Sequence, residues 1–194
     1  MFRKTSTLVC AAVFLGIAMI TLNAQAPAQP PQVGSAATPP SDEHVVPNPN
    51  YVSIQLEVDV NRSAADVWKR VGKYCDIGEW FQVAAGCKIL SGPDNDVGAV
   101  RSIANEVLVG KTELSYTYTQ PVRAGRPYNL YHGTLEARPV TATTSKLLYT
   151  LMWDNSMLAD DAAREKDKAS RTATFTRALQ NMKTLAEGGT LAPK

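Results

Sequence analysis

Residues 51–60 alternate strictly, with Val52, Ile54, Leu56, Val58 and Val60 on one face. A period of two over this length predicts a half-buried strand. Asn61-Arg62-Ser63 ends it, and Ser63 is placed to cap a helix opening Ala64-Ala65-Asp66, with Val67, Trp68 and Val71 as its apolar side. Gly72 weakens or stops that helix, and a second short helix is predicted over residues 77–84, ended at Gly86. From Cys87 the period returns to two. Short strands are predicted over 88–90, 99–103, 106–109 and 113–119, with a turn cluster at 91–96 and tight links at Asn105 and Gly110. Residues 121–127 read as a loop. Two longer strands follow over 128–137 and 145–154, and Asp154 and Asn155 are expected to cap the turn into the next element.

The last element is a helix over 160–187. Its first half is dense in Asp, Glu, Lys and Arg, which predicts a solvent-exposed face. Its second half carries a helical apolar stripe, Thr172, Phe175, Leu179, Met182, Leu185 and Ala186, stopped by Gly188-Gly189. Adjacent strands on short turns make a meander, and a curved antiparallel sheet must cover its apolar face. The long helix is the one element able to do so. The expected class is α+β, a curved antiparallel sheet of about seven strands wrapped around a long C-terminal helix.

The N-terminal pattern is of another kind. Arg3 and Lys4 precede an apolar run from Leu8 to Ile20, and small residues follow at Ala24, Ala26 and Ala28. This is the layout of a secretory signal peptide, assigned to residues 1–26, with cleavage between 24 and 28. The run is shorter than the ~20 residues a spanning helix needs. An uncleaved anchor is the alternative. Residues 27–50 are Pro-rich and read as a disordered linker, too poor in apolar surface to offset chain entropy. The folded domain is expected over 51–189, with a tail at 190–194. The net charge of +2 comes from Arg3 and Lys4, so the processed chain, with 18 basic and 18 acidic residues, is neutral. No long-range field is left to attract nucleic acid or acidic membranes. In an oxidising compartment the remaining pair, Cys75 and Cys87, reads as a disulfide; two separate buried thiols are the alternative.

The element order, together with Ala64-Ala65-Asp66-Val67-Trp68, Trp80-Phe81, Gly98-Ala99-Val100-Arg101, Tyr116-Thr117-Tyr118 and Tyr131-His132-Gly133-Thr134-Leu135, resembles the START-like helix-grip superfamily, also called SRPBCC. Within it the chain is similar to the bacterial secreted branch described as polyketide cyclase/dehydrase and lipid transport. The resemblance spans residues 51–189. It implies a cavity between the sheet's concave face and the C-terminal helix. Pleat alternation proposes the lining: Leu114, Tyr116 and Tyr118; then Tyr131, Gly133 and Leu135; then Tyr149, Leu151 and Trp153. Phe175, Leu179 and Met182 would close it from the helix. Such a lining suits a hydrophobic or aromatic small molecule or lipid. The competing reading is that these side chains fill a solid core. Members commonly carry an acidic residue on the strand before the tyrosine strand, and here Glu106 and Glu113 compete for that place.

Candidate chemistry is sparse. Arg101 either reaches the cavity mouth, where a guanidinium would orient a carboxylate or phenolate, or is a surface charge paired across the sheet. His44 falls in the linker, and His132 faces outward if Tyr131 and Gly133 face in. No metal-ligand spacing, nucleophile elbow or phosphate loop is present, and the basic residues form no stripe. No catalytic residue, metal or cofactor is therefore expected, nor a nucleic-acid partner or stable membrane insertion after signal cleavage. Protein partners are left open. The favoured expectation is an exported binding domain for a hydrophobic small molecule. A cyclase-like enzyme using the same cavity and a secreted interaction module with a solid core are the rivals.

Overall fold

The computed structural model describes residues 46–193. The expected signal peptide and most of the expected linker lie outside the described residues. Strand β1 (Tyr51–Val60) is followed by helices α1 (Ala64–Val71) and α2 (Ile77–Trp80). Six strands come next: β2 (Ile89–Ser91), β3 (Val100–Arg101), β4 (Val107–Lys111), β5 (Ser115–Thr119), β6 (Asn129–Pro139) and β7 (Ser145–Asp154). Helix α3 (Asp161–Ala186) ends the domain. The seven strands form one antiparallel sheet in the order β1-β7-β6-β5-β4-β3-β2. The meander thus runs back from β2 to β7, and β1 closes it beyond the last strand. This is the helix-grip architecture expected from the pattern.

Alternation predicted the long strands well because each has one buried face. Ile54 and Val60 of β1 are buried, and every second residue of β6 from Tyr131 to Ala137 is buried. β1 pairs with β7 along its whole length, from Tyr51 opposite Asp154 to Val60 opposite Ser145. α3 lays Phe175, Ala178, Leu179, Met182 and Leu185 against this face. α1 adds Ala64, Val67 and Val71, and its cap is as expected, Ser63 Oγ accepting from Asp66 N at 3.2 Å.

The short elements differ from expectation where backbone turns intervene. α2 stops at Trp80 rather than near residue 84, since Gln82 turns left-handed at φ 53°. The third strand shrinks to two residues because Ala104 and Asn105 both take positive φ in a turn closed by Glu106 N to Ile103 O. Glu106 therefore sits at the end of that turn instead of opening β4. Glu113 and Leu114 lie in a second turn, where the Thr112 and Ser115 hydroxyls bond at 2.7 Å and Thr112 Oγ1 accepts from Leu114 N. The N-cap of α3 is Asp160, whose carboxylate accepts from Ala163 N at 2.8 Å. Asp154 and Asn155 have another principal role. Asp154 Oδ1 accepts from both Asn50 N and Ser156 N, and Asn155 Oδ1 accepts from Asn50 Nδ2 at 2.7 Å. The end of the expected linker is thus clamped to the domain at Asn50.

Cys75 and Cys87 are bonded, with Cα atoms 5.3 Å apart. The bridge ties the turn before α2 to the approach to β2. Gly78 is what allows the two segments to close, since a Cβ there would lie 2.9 Å from Cys87 N. Closing a loop of this size stabilises by roughly 3 kcal/mol in the chain-entropy model. Cys75→Ser with Cys87→Ser should lower the urea midpoint accordingly while leaving the circular dichroism spectrum of the folded state unchanged. A midpoint equal to wild type would show that the bridge adds nothing.

Candidate functional site

The residues proposed from pleat alternation do converge. Tyr116, Tyr118, Tyr131, Leu135, Tyr149, Leu151, Trp153, Leu179 and Met182 are all buried, as is Phe175. Leu114, placed on a turn, is only half-buried at the core's margin. Strand pairing explains the meeting: Tyr116 lies opposite Leu135, Tyr118 opposite Gly133, and Leu135 opposite Tyr149. Their rings fill the space between sheet and helix. Tyr116 packs against Trp68 and Tyr74 at 5.7 and 5.4 Å between centroids, and Tyr149 against Phe175 at 4.6 Å. Tyr118 and Tyr149 join their hydroxyls at 3.0 Å. Gly133 is the position that admits the Tyr118 ring, because a Cβ there would sit 2.4 Å from Tyr118 Cζ. The volume that the resemblance implies as a cavity is occupied here by the protein's own aromatics. Among the described residues, hollows flank this interior from outside, one of them lined by Tyr128, Leu130 and Tyr131 beside the β5–β6 loop. Another of about 80 Å³ lies between α2 and α3 beside Trp80 and Asn181, and a further one of about 330 Å³ lies beside Leu185 and Leu191.

Arg101 is neither at a cavity mouth nor on the surface. It is fully buried. Its Nε donates to Glu106 Oε2 at 2.7 Å and its Nη1 to the Tyr74 carbonyl at 2.7 Å. Nη2 lies 2.5 Å from the same Glu106 oxygen, an ion contact without hydrogen-bond alignment. The guanidinium is sandwiched between Tyr74 and Tyr118, 4.3 and 4.7 Å from their centroids. Of the two competing acids Glu106 is the interior one, and Glu113 is exposed. Glu106 Oε1 accepts from Gln120 Nε2 at 2.8 Å, and Gln120 Oε1 accepts from the Tyr128 hydroxyl at 2.6 Å. A polar chain therefore runs from the deepest cation to the β5–β6 loop.

Around this pair several polar atoms are buried without a partner. They include the Tyr74 hydroxyl, whereas the Tyr116 hydroxyl lies against the Arg101 guanidinium. Burial pushes the hydroxyl pKa values of Tyr74, Tyr116, Tyr118, Tyr131 and Tyr149 upward, so all five remain protonated donors. Burial likewise raises the Glu106 carboxyl, against the opposing pull of Arg101 and Gln120.

A second polar group adjoins the outer end of the polar chain at Tyr128. Trp153 Nε1 donates to Asp167 Oδ2 at 2.9 Å, and Asp167 also pairs with Arg171. The Arg171 guanidinium lies within about 5 Å of three rings, Tyr128, Trp153 and Tyr131. The first half of α3 does present an exposed face, as its charge density suggested, and turns Asp167 and Arg171 to the other side. The Asp167–Arg171 spacing of four was the available signal for one shared face. His132 does face outward, opposite Met152, and partial burial lowers its pKa. Among the described residues no three His, Cys, Asp or Glu side chains gather as a metal site requires, and no helix is long and apolar enough to cross a membrane.

The fold recurs widely among solved structures. A solution structure from Thermobifida fusca shares 22% identity, covering 73% of this chain and 99% of the other, with a TM-score of 0.58. The Zhui aromatase/cyclase from Streptomyces sp. R1128 shares 18%, covering 72% and 99%, with a TM-score of 0.55. Norcoclaurine synthase from Thalictrum flavum, in complex with dopamine and hydroxybenzaldehyde, shares 13%, covering 74% and 91%, with a TM-score of 0.52. At these identities the likeness establishes the fold alone. Among curated proteins none matches. The family model described as polyketide cyclase / dehydrase and lipid transport matches residues 51–187. With its strands, gripped helix and aromatic interior in that order, the chain belongs to the polyketide cyclase/dehydrase and lipid transport family.

Proposed function

We propose that this domain is an exported module that binds a hydrophobic, aromatic small molecule in the interior between sheet and α3, without turning it over. The observation that carries this reading is the buried, partnerless hydroxyl of Tyr74, whose ring lies against the Arg101 guanidinium. Buried polar atoms are nearly always paired, and an orphan costs about 1–3 kcal/mol. An aromatic guest carrying a phenol or carbonyl oxygen would accept from the Tyr74 hydroxyl while its ring joins the existing stack. The family and the aromatic ligands of the norcoclaurine synthase complex support the ligand class. The interior must open for entry.

The absence of turnover rests on the same geometry. The phenols hold their protons too firmly to act as bases, and both oxygens of Glu106 are engaged by Arg101 and Gln120. A cyclase-like reaction would need one of them released. The export part of the proposal rests on residues 1–26, and N-terminal sequencing of the protein from its own host should find a start between residues 24 and 28.

The test is titration with 1-naphthol and with naphthalene, read by tryptophan quenching and by thermal shift. Wild type should saturate with both and prefer the naphthol. Tyr74→Phe should remove most of that preference, about fivefold for one lost hydrogen bond of ~1 kcal/mol, and the naphthol should be recovered unchanged. If neither compound raises the melting temperature, the solid-core reading stands and the binding proposal fails.

A further inference from the structure

The outer face of the sheet turns away from the aromatic interior and carries mainly polar side chains. Across its middle Thr117, Thr134 and Thr150 stand in one row, strand to strand. The next row differs. His132 lies directly opposite Met152, with Thr119 beyond the histidine and Ser53 beyond the methionine. Both point outward, because their chain neighbours Tyr131, Gly133, Leu151 and Trp153 are buried on the other face. Met152 is 38% exposed. A single exposed apolar residue needs no explanation. Its partner is what marks this one. Opposite residues of an antiparallel pair hold their Cβ atoms about 4.5–5.5 Å apart, so a ring nitrogen and a thioether sulfur can reach a common point. Partial burial lowers the His132 pKa, which leaves the neutral ring available at neutral pH. The acids nearby on this face are engaged, Glu136 by Arg138 and Glu57 by Lys146.

We propose that His132 and Met152 form a site for one soft monovalent cation, copper(I) or silver(I), on the outer face of the sheet. A neutral imidazole beside a thioether, with no carboxylate or thiolate in the row, is a donor pair for a soft ion. Zinc and calcium ask for larger donor sets that include anionic groups. Copper(I) and silver(I) accept two ligands in line. Bonds of about 2.0 Å to nitrogen and 2.3 Å to sulfur place the donor atoms roughly 4 Å apart, a span that opposite positions allow. The pair is invisible to motif spacing, because its members are far apart in the chain and meet only through the β6–β7 register. The site lies on the far side of the sheet from the interior and does not depend on the ligand proposed above.

The test uses the protein as its host processes it. Copper(I) is titrated anaerobically in competition with a chromogenic chelator, and silver(I) in chloride-free buffer. Wild type should hold one ion per chain, and excess zinc should not displace it. His132→Gln and Met152→Leu should each weaken binding about tenfold or more, at least the cost of losing an outer-shell partner. The double variant should be little weaker than either single one, because two ligands of one ion act together. His44→Gln with Met157→Leu removes the other histidine and the other methionine exposed among the described residues, and should change nothing. No retained ion, displacement by zinc, additive losses, or equal losses in the His44 and Met157 variant would each overturn the proposal. Should either single variant fail to fold by circular dichroism, nuclear magnetic resonance of wild type decides. Silver(I) must shift both the His132 ring protons and the Met152 methyl, and movement of only one overturns it.

Discussion

Glu106→Ala should destabilise the domain by about 3–5 kcal/mol, the cost of leaving a fully buried guanidinium without its carboxylate. Arg101 has no exposure to water, and its remaining polar partners, the Tyr74 carbonyl and the Tyr116 hydroxyl, carry no charge. Two stacked rings do not replace a counter-charge. Replacing both members together, Arg101→Met with Glu106→Leu, should recover most of that loss, because buried pairs often do little better than apolar residues of similar volume. Urea unfolding of the three variants measures the difference. A single substitution costing less than ~1 kcal/mol would mean that water or a rearranged side chain reaches Arg101.

Leu179→Ala is expected to cost about 2–5 kcal/mol, the ordinary range for a well-filled core. Leu179 is 2% exposed and lies among rings that already touch each other across the sheet–helix space. Gly133→Ala should destabilise as well, by roughly 1–3 kcal/mol from overpacking, since its methyl would overlap the Tyr118 ring. An interior with room to spare gives the opposite pattern, a cheap Leu179→Ala and a harmless Gly133→Ala. The Leu179 variant also bears on binding. The space it opens should let 1-naphthol raise its melting temperature more than that of wild type.

The long elements were legible in the sequence because each has a period and one buried face. β1 and β7 match their expected bounds, and α3 starts and ends within one residue of them. The inward faces of β5, β6 and β7 followed from alternation alone, which placed the tyrosines correctly. Turn geometry was not legible. Positive φ at Gln82, Ala104 and Leu130 falls on residues that do not usually signal it, whereas Asn105 was readable as a tight link, and α2 and β3 came out shorter than the pattern suggested. Ion pairing was not legible either. Arg101 reads as a pore-lining or surface charge until the turn at 102–106 brings Glu106 back beneath it. The Asp167–Arg171 pair, and the Trp153 indole that donates to Asp167, were not singled out in the sequence at all. Alternation says which face a ring occupies. It does not say whether facing rings leave a gap, and that is decided by contacts such as Tyr118 against Gly133.

The fastening of the two termini has a mechanical consequence. The chain enters at Asn50, clamped beside Tyr51 by Asp154 and Asn155. It leaves from α3 at the opposite end of the same strand, where Asn61 N donates to Glu187 Oε1 and Lys183 Nζ to the Asp59 carbonyl. Tension between Asn50 and Leu191 is therefore directed along β1. All ten residues paired with β7 resist it together, in shear, rather than parting one after another. A pull between Asn50 and Met157 meets the same ladder from its end and opens it pair by pair. Single-molecule extension should find the first geometry to rupture at clearly higher force, and a domain drawn by its N-terminal segment against a load at its C-terminus would be held by its longest strand pairing.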